Sequence, residues 1–151
     1  MRRIALVPLV ALSVASAQQP QFLAVSVRDL DASTRWYTTV FGINDARDLP
    51  RVDSTVRTRM LSSPDVVIEL SAHSRSRSLR DIAGAATPSY LVHGFFKAGV
   101  FVPNLDSTVT ALRARQIQPS GTIQADNATG MRWAILRDPD GNYVQLLARR
   151  G

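Results

Sequence analysis

Two residues of types that carry acid–base chemistry occur once each among the 151 residues: Glu69 is the one glutamate and Lys97 is the one lysine. Glu69 lies inside the apolar run 67–70, where an unpaired carboxylate would be costly to bury. Strand alternation predicts that Glu69 and Lys97 lie on the faces opposite the helices, together with Phe22 and Gln145. A carboxylate and an ammonium group there could perform acid–base chemistry, contact a ligand, or neutralise each other as a structural pair.

The histidines, His73 and His93, offer an alternative site. Positions 69, 71 and 73 share one face if the strand continues, so Glu69 and the two histidines could bind a metal ion together. Histidines that flank a loop are also commonly solvent-exposed or capping groups, and both interpretations stay open. The sequence shows no cysteine nucleophile, no Ser-His-Asp order and no glycine-rich nucleotide loop.

The elements that must position these residues occur twice along the chain. Residues 29–33 (DLDAS) correspond to residues 104–108 (NLDST), and residues 67–70 (VIEL) correspond to residues 143–146 (YVQL). The repeat predicts the order strand, helix and further strands in each half.

Caps, turns and apolar periodicity locate these elements. In the first half we predict a strand over 22–28, a helix from an Asp29 or Asp31 cap to Gly42, and strands over 43–49, 55–61 and 66–71. In the second half we predict a strand over 97–103, a helix capped by Asn104 or Asp106, and strands over 131–137 and 142–148 joined by the Asp138-Pro139-Asp140-Gly141 turn.

Alternation assigns the faces of the first strand. Leu23, Val25 and Val27 form an apolar side that lies under the first helix. Phe22 and Ser26 therefore lie on the other face, which we expect to be concave.

This order of elements, with "V-x-D-L-D-x-S" after the first strand and "D-P-D-G-N-x-x-Q-L" before the end, resembles the vicinal oxygen chelate superfamily. That group includes glyoxalase I, extradiol dioxygenases, methylmalonyl-CoA epimerase, and the fosfomycin-modifying and bleomycin-resistance proteins. The likeness runs over about residues 22–147. It implies an α+β fold in which two βαβββ modules form one cup-shaped domain, here residues 18–151. Such a fold hosts unrelated reactions, so it does not fix the chemistry.

In metal-using members of this family, His, Gln or Glu ligands come from the first and last strands of each half. The resemblance carries these four places over to Phe22, Glu69, Lys97 and Gln145. Phe22 has no donor atom and a protonated Lys97 has no lone pair, so we predict no metal and no cofactor. Our hypothesis is that Lys97 replaces the charge of the ion and pairs with Glu69 across the cup.

Composition bounds the partners. The formal net charge is +6 and the sequence pI is about 11, which raises the question of a nucleic-acid partner. Seventeen of the eighteen basic residues are arginine, so we interpret the high pI as compositional background and expect no nucleic acid.

Residues 1–17 have the pattern of a secretory signal peptide: Arg2-Arg3, an apolar run, and the small-x-small end Ala15-Ser16-Ala17. No later stretch approaches the length of a membrane span. We therefore predict cleavage near Ala17 and export to the periplasm or the extracellular space.

The leading functional expectation is a metal-independent protein that binds, and so sequesters, a small and anionic molecule. Phe22 and Ser26 would supply walls of the cup, and Lys97 would contact the ligand. One alternative is a lyase, isomerase or dioxygenase with Glu69 as base and Lys97 as its electrostatic partner, or with an unusual metal-ligand set. Another is an association module, since an arm-exchanged homodimer could form the cup. The connector from Ser74 to Val92 would be a lid or a linker.

Overall fold

The structure is a computed structural model and describes residues 20–51, 53–84, 86–88 and 91–149. The predicted signal peptide, residues 1–17, lies outside the described residues. Across the described ranges the chain forms eight strands in two four-stranded sheets, together with three α-helices.

The first module is the predicted strand, helix and three strands. Its elements are β1 (Gln21–Ser26), α1 (Leu30–Phe41), β2 (Asp45–Asp48), β3 (Val56–Ser62) and β4 (Val66–His73). They form sheet 1 in the order β1-β4-β3-β2, with β1 parallel to β4 and the other neighbours antiparallel.

The second module repeats this arrangement. Its elements are β5 (Lys97–Phe101), α3 (Leu105–Ala114), β6 (Gln124–Asp126), β7 (Met131–Arg137) and β8 (Tyr143–Arg149). They form sheet 2 in the equivalent order β5-β8-β7-β6. The connector between the modules contains one short helix, α2 (Leu79–Ala83). The predicted α+β fold of paired βαβββ modules is therefore confirmed.

The helices begin and end where the side chains favour it. The Asp29 carboxylate accepts hydrogen bonds from the backbone amides of Ala32 and Asp31, both at 2.9 Å, and Asn104 caps α3 in the same way. The Ala32 amide is the main reason that the pKa of Asp29 lies below its ordinary value. Gly42 ends α1 with φ of 65°, a left-handed conformation that glycine adopts without steric cost.

The cores lie on the helix side of each sheet, as alternation predicts. Val27, Ile68 and Leu70 belong to the core of the first module, with Val25 packed against it. In the second module the buried strand residues include Val144 and Leu146.

Helix α1 joins the two cores. Val40 belongs to the core of the second module, whereas Tyr37 belongs to the core of the first. Trp36 and Phe41 pack against both. Because the helix sides of both sheets meet this shared layer, each sheet turns its other face away from the opposite module. We call these outward faces the open face of sheet 1 and the open face of sheet 2.

A buried carboxylate fixes the contact between the modules. Asp138, in the turn between β7 and β8, is 5% exposed and accepts a hydrogen bond of 2.9 Å from the Tyr37 hydroxyl on α1. The backbone and side-chain amides of Asn142 donate to the same carboxylate at 2.7 and 2.9 Å, and the Asp140 amide donates at 3.0 Å. Asp140 in turn accepts from the backbone amide of Arg28 at 3.0 Å. The turn thus carries out two tasks: it closes a hairpin and binds the first module.

Two elements differ from expectation. Strand β6 was not predicted, because Gln124, Ala125 and Asp126 show no apolar alternation. Helix α2 was not predicted either, because five residues are too few to establish a helical period and none of them is buried. Its N-terminus is nevertheless well defined, since Ser78 and Asp81 form a capping box.

Candidate functional site

The open face of sheet 1 mixes apolar, hydroxylated and charged side chains. Cross-strand register and alternation place on it Phe22, Ala24 and Ser26 of β1, Asp45 and Arg47 of β2, Val56, Thr58, Met60 and Ser62 of β3, and Val67, Glu69, Ser71 and His73 of β4. Phe22 is 63% exposed although it is a large aromatic residue. The predicted positions of Phe22, Ser26 and Glu69 on one face are thus reproduced by the register.

Glu69 lies at the centre of this face. Its cross-strand neighbours are Ala24 on β1 and Met60 on β3. Its carboxylate accepts a long hydrogen bond of 3.4 Å from the Ser71 hydroxyl, which also lies 3.1 Å from the Thr58 hydroxyl. The carboxylate is half-buried and faces outward, so a molecule on this face can reach it.

The open face of sheet 2 differs in character. Three rows of three residues cross β5, β8 and β7: Lys97, Tyr143 and Arg137; then Gly99, Gln145 and Ile135; then Phe101, Leu147 and Trp133. Arg137 stacks on Tyr143, with the guanidinium carbon 4.2 Å from the ring centroid. This face therefore has a cationic row at one end and an aromatic row two positions further on, and a row of Arg149, Met131 and Asp126 follows the aromatic row.

Lys97 and Gln145 both lie on the open face of sheet 2, where alternation predicts them. Lys97 is exposed, and its ammonium group lies 5.4 Å from the centroid of the Phe96 ring. Gln145 is 8% exposed, and the hydrogen bonds of the described residues include none from its side-chain amide. The one buried side-chain polar atom without a partner among the described residues is Oγ of Ser33, so the amide of Gln145 keeps contact with solvent.

The hypothesis that Glu69 and Lys97 pair with each other is wrong for a single chain. The ion pairs of the described residues all join an arginine to an aspartate. Glu69 and Lys97 belong to different sheets, whose open faces turn away from each other across the shared helical layer. The physical reason is that α1 packs between the modules rather than outside them.

The four positions that hold metal ligands in relatives do not fit a metal ion here. Phe22 and a protonated Lys97 supply no lone pair, which leaves the oxygen atoms of Glu69 and Gln145, fewer than the three protein groups that a stable metal site usually needs. Within the described part of the chain, no group of three or more His, Cys, Asp or Glu side chains could hold a metal ion. We derive no step through a metal.

The alternative set of Glu69 with two histidines is not assembled. Strand β4 continues to His73, so the condition for a shared face is met. The Nδ1 atom of His73, however, accepts a hydrogen bond of 3.0 Å from the Arg75 amide, and its Nε2 lies 3.4 Å from the Thr55 hydroxyl. His93 is exposed in the loop between the connector and β5. His73 therefore serves the local turn.

The two best-defined clefts among the described residues are small. One has a volume of about 80 Å³, and the other has about 160 Å³ and is lined by residues including Asn104, Asp106 and Arg132. Small-molecule sites usually have about 300–1,000 Å³. The larger cleft also lies away from all five predicted ligand-binding residues. A binding site on the open faces therefore needs a second wall.

The side chains of the described part of the connector, Ser74 to Val92, form hydrogen bonds within the connector itself. Helix α2 exposes Leu79 and Ile82, and Leu91 is exposed as well. Arg77 donates a hydrogen bond of 3.2 Å to the Asp81 carbonyl within the connector itself. Among the described residues, no helix has the length and apolar character needed to cross a membrane.

The structure adds residues that sequence reasoning missed. Trp133, whose face the sequence left undecided, lies beside Leu147 on the open face of sheet 2. Tyr143 and Arg137 lie on the same face in the row of Lys97. The alternation in 131–137 could have placed Trp133 and Arg137 together, but choosing their face required the register with β8.

Comparisons with known proteins agree with this architecture. The family model of the Glyoxalase/Bleomycin resistance protein/Dioxygenase superfamily matches residues 19–146. A search among curated proteins gives no significant match.

Solved structures are similar in fold at low sequence identity. A glyoxalase family protein from Enterococcus faecalis has a TM-score of 0.67 and 18% identity, over 86% of this chain and 95% of its own. A glyoxalase family protein from Bacillus cereus has a TM-score of 0.64 and 17% identity, over 93% of this chain and 100% of its own. The trypanothione-dependent glyoxalase I of Leishmania major has a TM-score of 0.60 and 20% identity, over 88% of this chain and 87% of its own. With the family model covering most of the sequence, the chain belongs to the glyoxalase/bleomycin resistance protein/dioxygenase superfamily.

Proposed function

We propose that this protein is an exported, metal-independent binding protein for a small molecule, and that its binding cup forms between two copies of the chain. The open face of sheet 1 from one copy and the open face of sheet 2 from the other would supply the two walls. The observation that carries the proposal is the outward orientation of both faces, which leaves each with one wall.

Exposed apolar residues on the open faces support a second copy. Phe22 on β1 and Phe101 on β5 are 63% and 68% exposed, although each lies in a regular strand. Apolar side chains of this size on a sheet face are typical of surfaces that a partner covers.

The edges of the sheets support the same arrangement. Strands β1 and β5 are edge strands, and their sequences, QFLAVS and KAGVF, are poor in charge. The opposite edges, β2 and β6, have the polar sequences DARD and QAD, which discourage strand pairing. Pairing β1 of one copy with β5 of another would extend each sheet and bring the two open faces into one curved surface.

Such a cup would reunite the predicted ligand-binding residues. Phe22, Ser26 and Glu69 would come from one copy, and Lys97 and Gln145 from the other. Lys97 and Glu69 could then pair across the cup, or each could contact the ligand.

Native mass spectrometry of the protein purified from the exported fraction tests the proposal in one measurement. We expect a metal-free dimer that begins near Gln18 and retains an organic ligand. A stoichiometric divalent metal ion would refute metal independence. A monomer at micromolar concentration that shows no ligand would refute the shared cup.

A matched pair of variants tests the position of the interface. Phe22→Ser removes an exposed aromatic side chain from β1, and Phe95→Ser removes a fully exposed one from the loop just before β5. We expect Phe22→Ser to weaken dimerisation at least about tenfold, because it loses more than 1.4 kcal/mol of apolar contact, whereas Phe95→Ser should leave it unchanged. Equal effects of the two variants would contradict pairing through β1.

An enzymatic role is favoured by one observation, the half-buried Glu69 with a single long hydrogen bond from Ser71. A carboxylate with so few partners is available as a general base, and Lys97 of a second copy would be its electrostatic partner. The co-purified ligand decides between the roles. Incubation with excess protein, followed by chromatography and mass spectrometry, leaves the ligand chemically unchanged if the protein only binds it, and converts it to a product or an isomer, at a rate that Glu69→Gln abolishes, if the protein is an enzyme.

A further inference from the structure

We infer that the ligand is a planar aromatic carboxylate of at least two fused rings, held with its carboxylate between Lys97 and Arg137 and its rings against Phe101 and Trp133. This inference rests on the proposed binding function and names the ligand class of that site. It is carried by the open face of sheet 2, which has three chemically distinct rows.

The first row provides the positive end. Lys97 on β5 and Arg137 on β7 flank Tyr143 on β8, so their Cα atoms are two strand spacings, about 10 Å, apart. The Arg137 guanidinium donates to the Tyr143 hydroxyl at 2.5 Å and to the Gly141 carbonyl at 3.3 Å, which orients it on this face. Neither cation has a carboxylate partner among the ion pairs of the described residues.

Two cations so placed match a carboxylate. A guanidinium group binds both carboxylate oxygens with two parallel hydrogen bonds, and an ammonium group adds a point charge. If Glu69 of a second copy forms an ion pair with one of the two cations, the other cation stays available to the ligand. The row therefore keeps a net attraction for an anion in the assembled cup.

The middle row contains Gln145, a residue that is 8% exposed. Its neighbours across the strands are Gly99 and Ile135, neither of which offers a polar side chain. The one buried side-chain polar atom without a partner among the described residues is Oγ of Ser33, so the Gln145 amide keeps contact with solvent, and its oxygen and nitrogen are available to a hydroxyl or carbonyl group of the ligand. The missing side chain at Gly99 makes room for Leu147, because a Cβ atom at Gly99 would lie 2.9 Å from Cδ1 of Leu147.

The third row provides the aromatic end. Phe101 and Trp133 flank Leu147, and Phe101 is exposed. Aromatic side chains favour stacking or edge contacts with a second ring. This row lies four residues along β8 from the first row, which corresponds to about 13 Å. A single ring with a carboxylate is too short to contact both ends, so the spacing favours fused rings.

Calorimetric titration of the full mature protein with naphthoate and naphthamide tests the charge requirement. The two probes share a fused ring system, and only naphthoate is anionic. We expect naphthoate to bind at least about tenfold more tightly, because it gains charge-assisted hydrogen bonds. Equal affinity for the two probes would overturn the carboxylate assignment, and so would the absence of naphthoate binding at millimolar concentration.

Variants test the assigned residues. Arg137→Gln should weaken naphthoate binding at least about tenfold and leave naphthamide binding unchanged. The control is Arg113→Gln, at an exposed position of α3, and it should change the affinity for neither probe. We expect hydroxynaphthoate to bind more tightly than naphthoate, because its hydroxyl group can form a hydrogen bond with the Gln145 amide. Gln145→Leu should remove this difference in affinity. A loss of binding to both probes in Arg137→Gln would indicate a structural role and refute the inference.

These outcomes separate the inference from the proposed function. A dimer that retains a neutral ligand, with no preference for naphthoate, would refute the ligand class and leave the binding function intact. A monomer that nevertheless binds naphthoate through Arg137 would refute the shared cup and support the ligand class.

Discussion

Removing the Tyr37 hydroxyl should weaken the contact between the two modules. In Tyr37→Phe the aromatic ring stays in the core, and the change is confined to the hydrogen bond of 2.9 Å that the hydroxyl donates to buried Asp138. A hydrogen bond to a charged group contributes about 1.5–3 kcal/mol. Asp138 keeps its donors from Asn142 and Asp140, so the carboxylate is not left without partners. We expect the free energy of unfolding at neutral pH to fall by about 1.5–3 kcal/mol.

The same tyrosine should make the stability depend on alkaline pH. Burial, followed by the neighbouring Asp138 carboxylate, raises the pKa of Tyr37 far above its ordinary value. The unfolded tyrosine ionises near pH 10, whereas the folded one keeps its proton. The stabilisation is therefore complete below pH 10 and is lost as pH rises towards the folded pKa, at about 1.4 kcal/mol per pH unit. Phenylalanine does not titrate, so the deficit of Tyr37→Phe should shrink above pH 10.

Urea denaturation at pH 7, 9 and 11, followed by circular dichroism, measures both effects. Tyr143→Phe is the matched control, because its hydroxyl bonds to exposed Arg137 on a sheet surface. We expect that control to lose less than about 0.5 kcal/mol. A Tyr37→Phe deficit below that of the control at pH 7, or one that stays constant up to pH 11, would refute the role of this hydrogen bond in joining the modules.

Three further predictions concern the rest of the chain. In urea denaturation, Arg59→Met should lower the free energy of unfolding more than the exposed Arg57→Met does, because Arg59 forms ion pairs with both Asp48 and Asp31. Arg59 is the main reason that the pKa of Asp48 is lowered, so this difference should disappear as pH falls through that pKa. Gly42→Ala should lower the free energy of unfolding by about 1 kcal/mol, and Gly42→Asn by less, because asparagine tolerates the left-handed conformation. Addition of zinc or of EDTA should leave the thermal midpoint unchanged, and a shift of several degrees with either would contradict the interpretation of the ligand positions.

Local sequence determined most of the fold. Alternation in β1 and β8, the caps at Asp29 and Asn104, and Gly42 each act through the nearest few residues, so each element could be predicted from its own segment. The failures have the same explanation in reverse. Strand β6 has no apolar alternation and helix α2 is only five residues long, so β6 is identified by its pairing with β7 and α2 by its capping box.

The site was predictable in part, for a related reason. The face on which Glu69 or Gln145 lies follows from alternation, and the structure agrees. Whether two faces meet depends on how the modules pack, which is decided by Val40, Trp36 and Phe41 contacting the second core. Their spacing on α1 shows that they are buried but not which sheet buries them. The Glu69–Lys97 pairing in one chain failed at this step.

The duplication gives the proposed cup two unlike walls. Glu69 and Gln145 occupy equivalent central positions of their sheets, flanked by Ala24 in one and by Gly99 in the other. Around Glu69 the face of sheet 1 has the hydroxyl groups of Thr58 and Ser71 beside the apolar Met60 and Val67, whereas around Gln145 the face of sheet 2 is aromatic and cationic. A metal ion needs lone pairs from both walls, and one wall supplies a lysine at its ligand position. An elongated molecule with a charged end and an apolar end matches such walls better, because each wall then contacts a different part of it and fixes its direction in the cup.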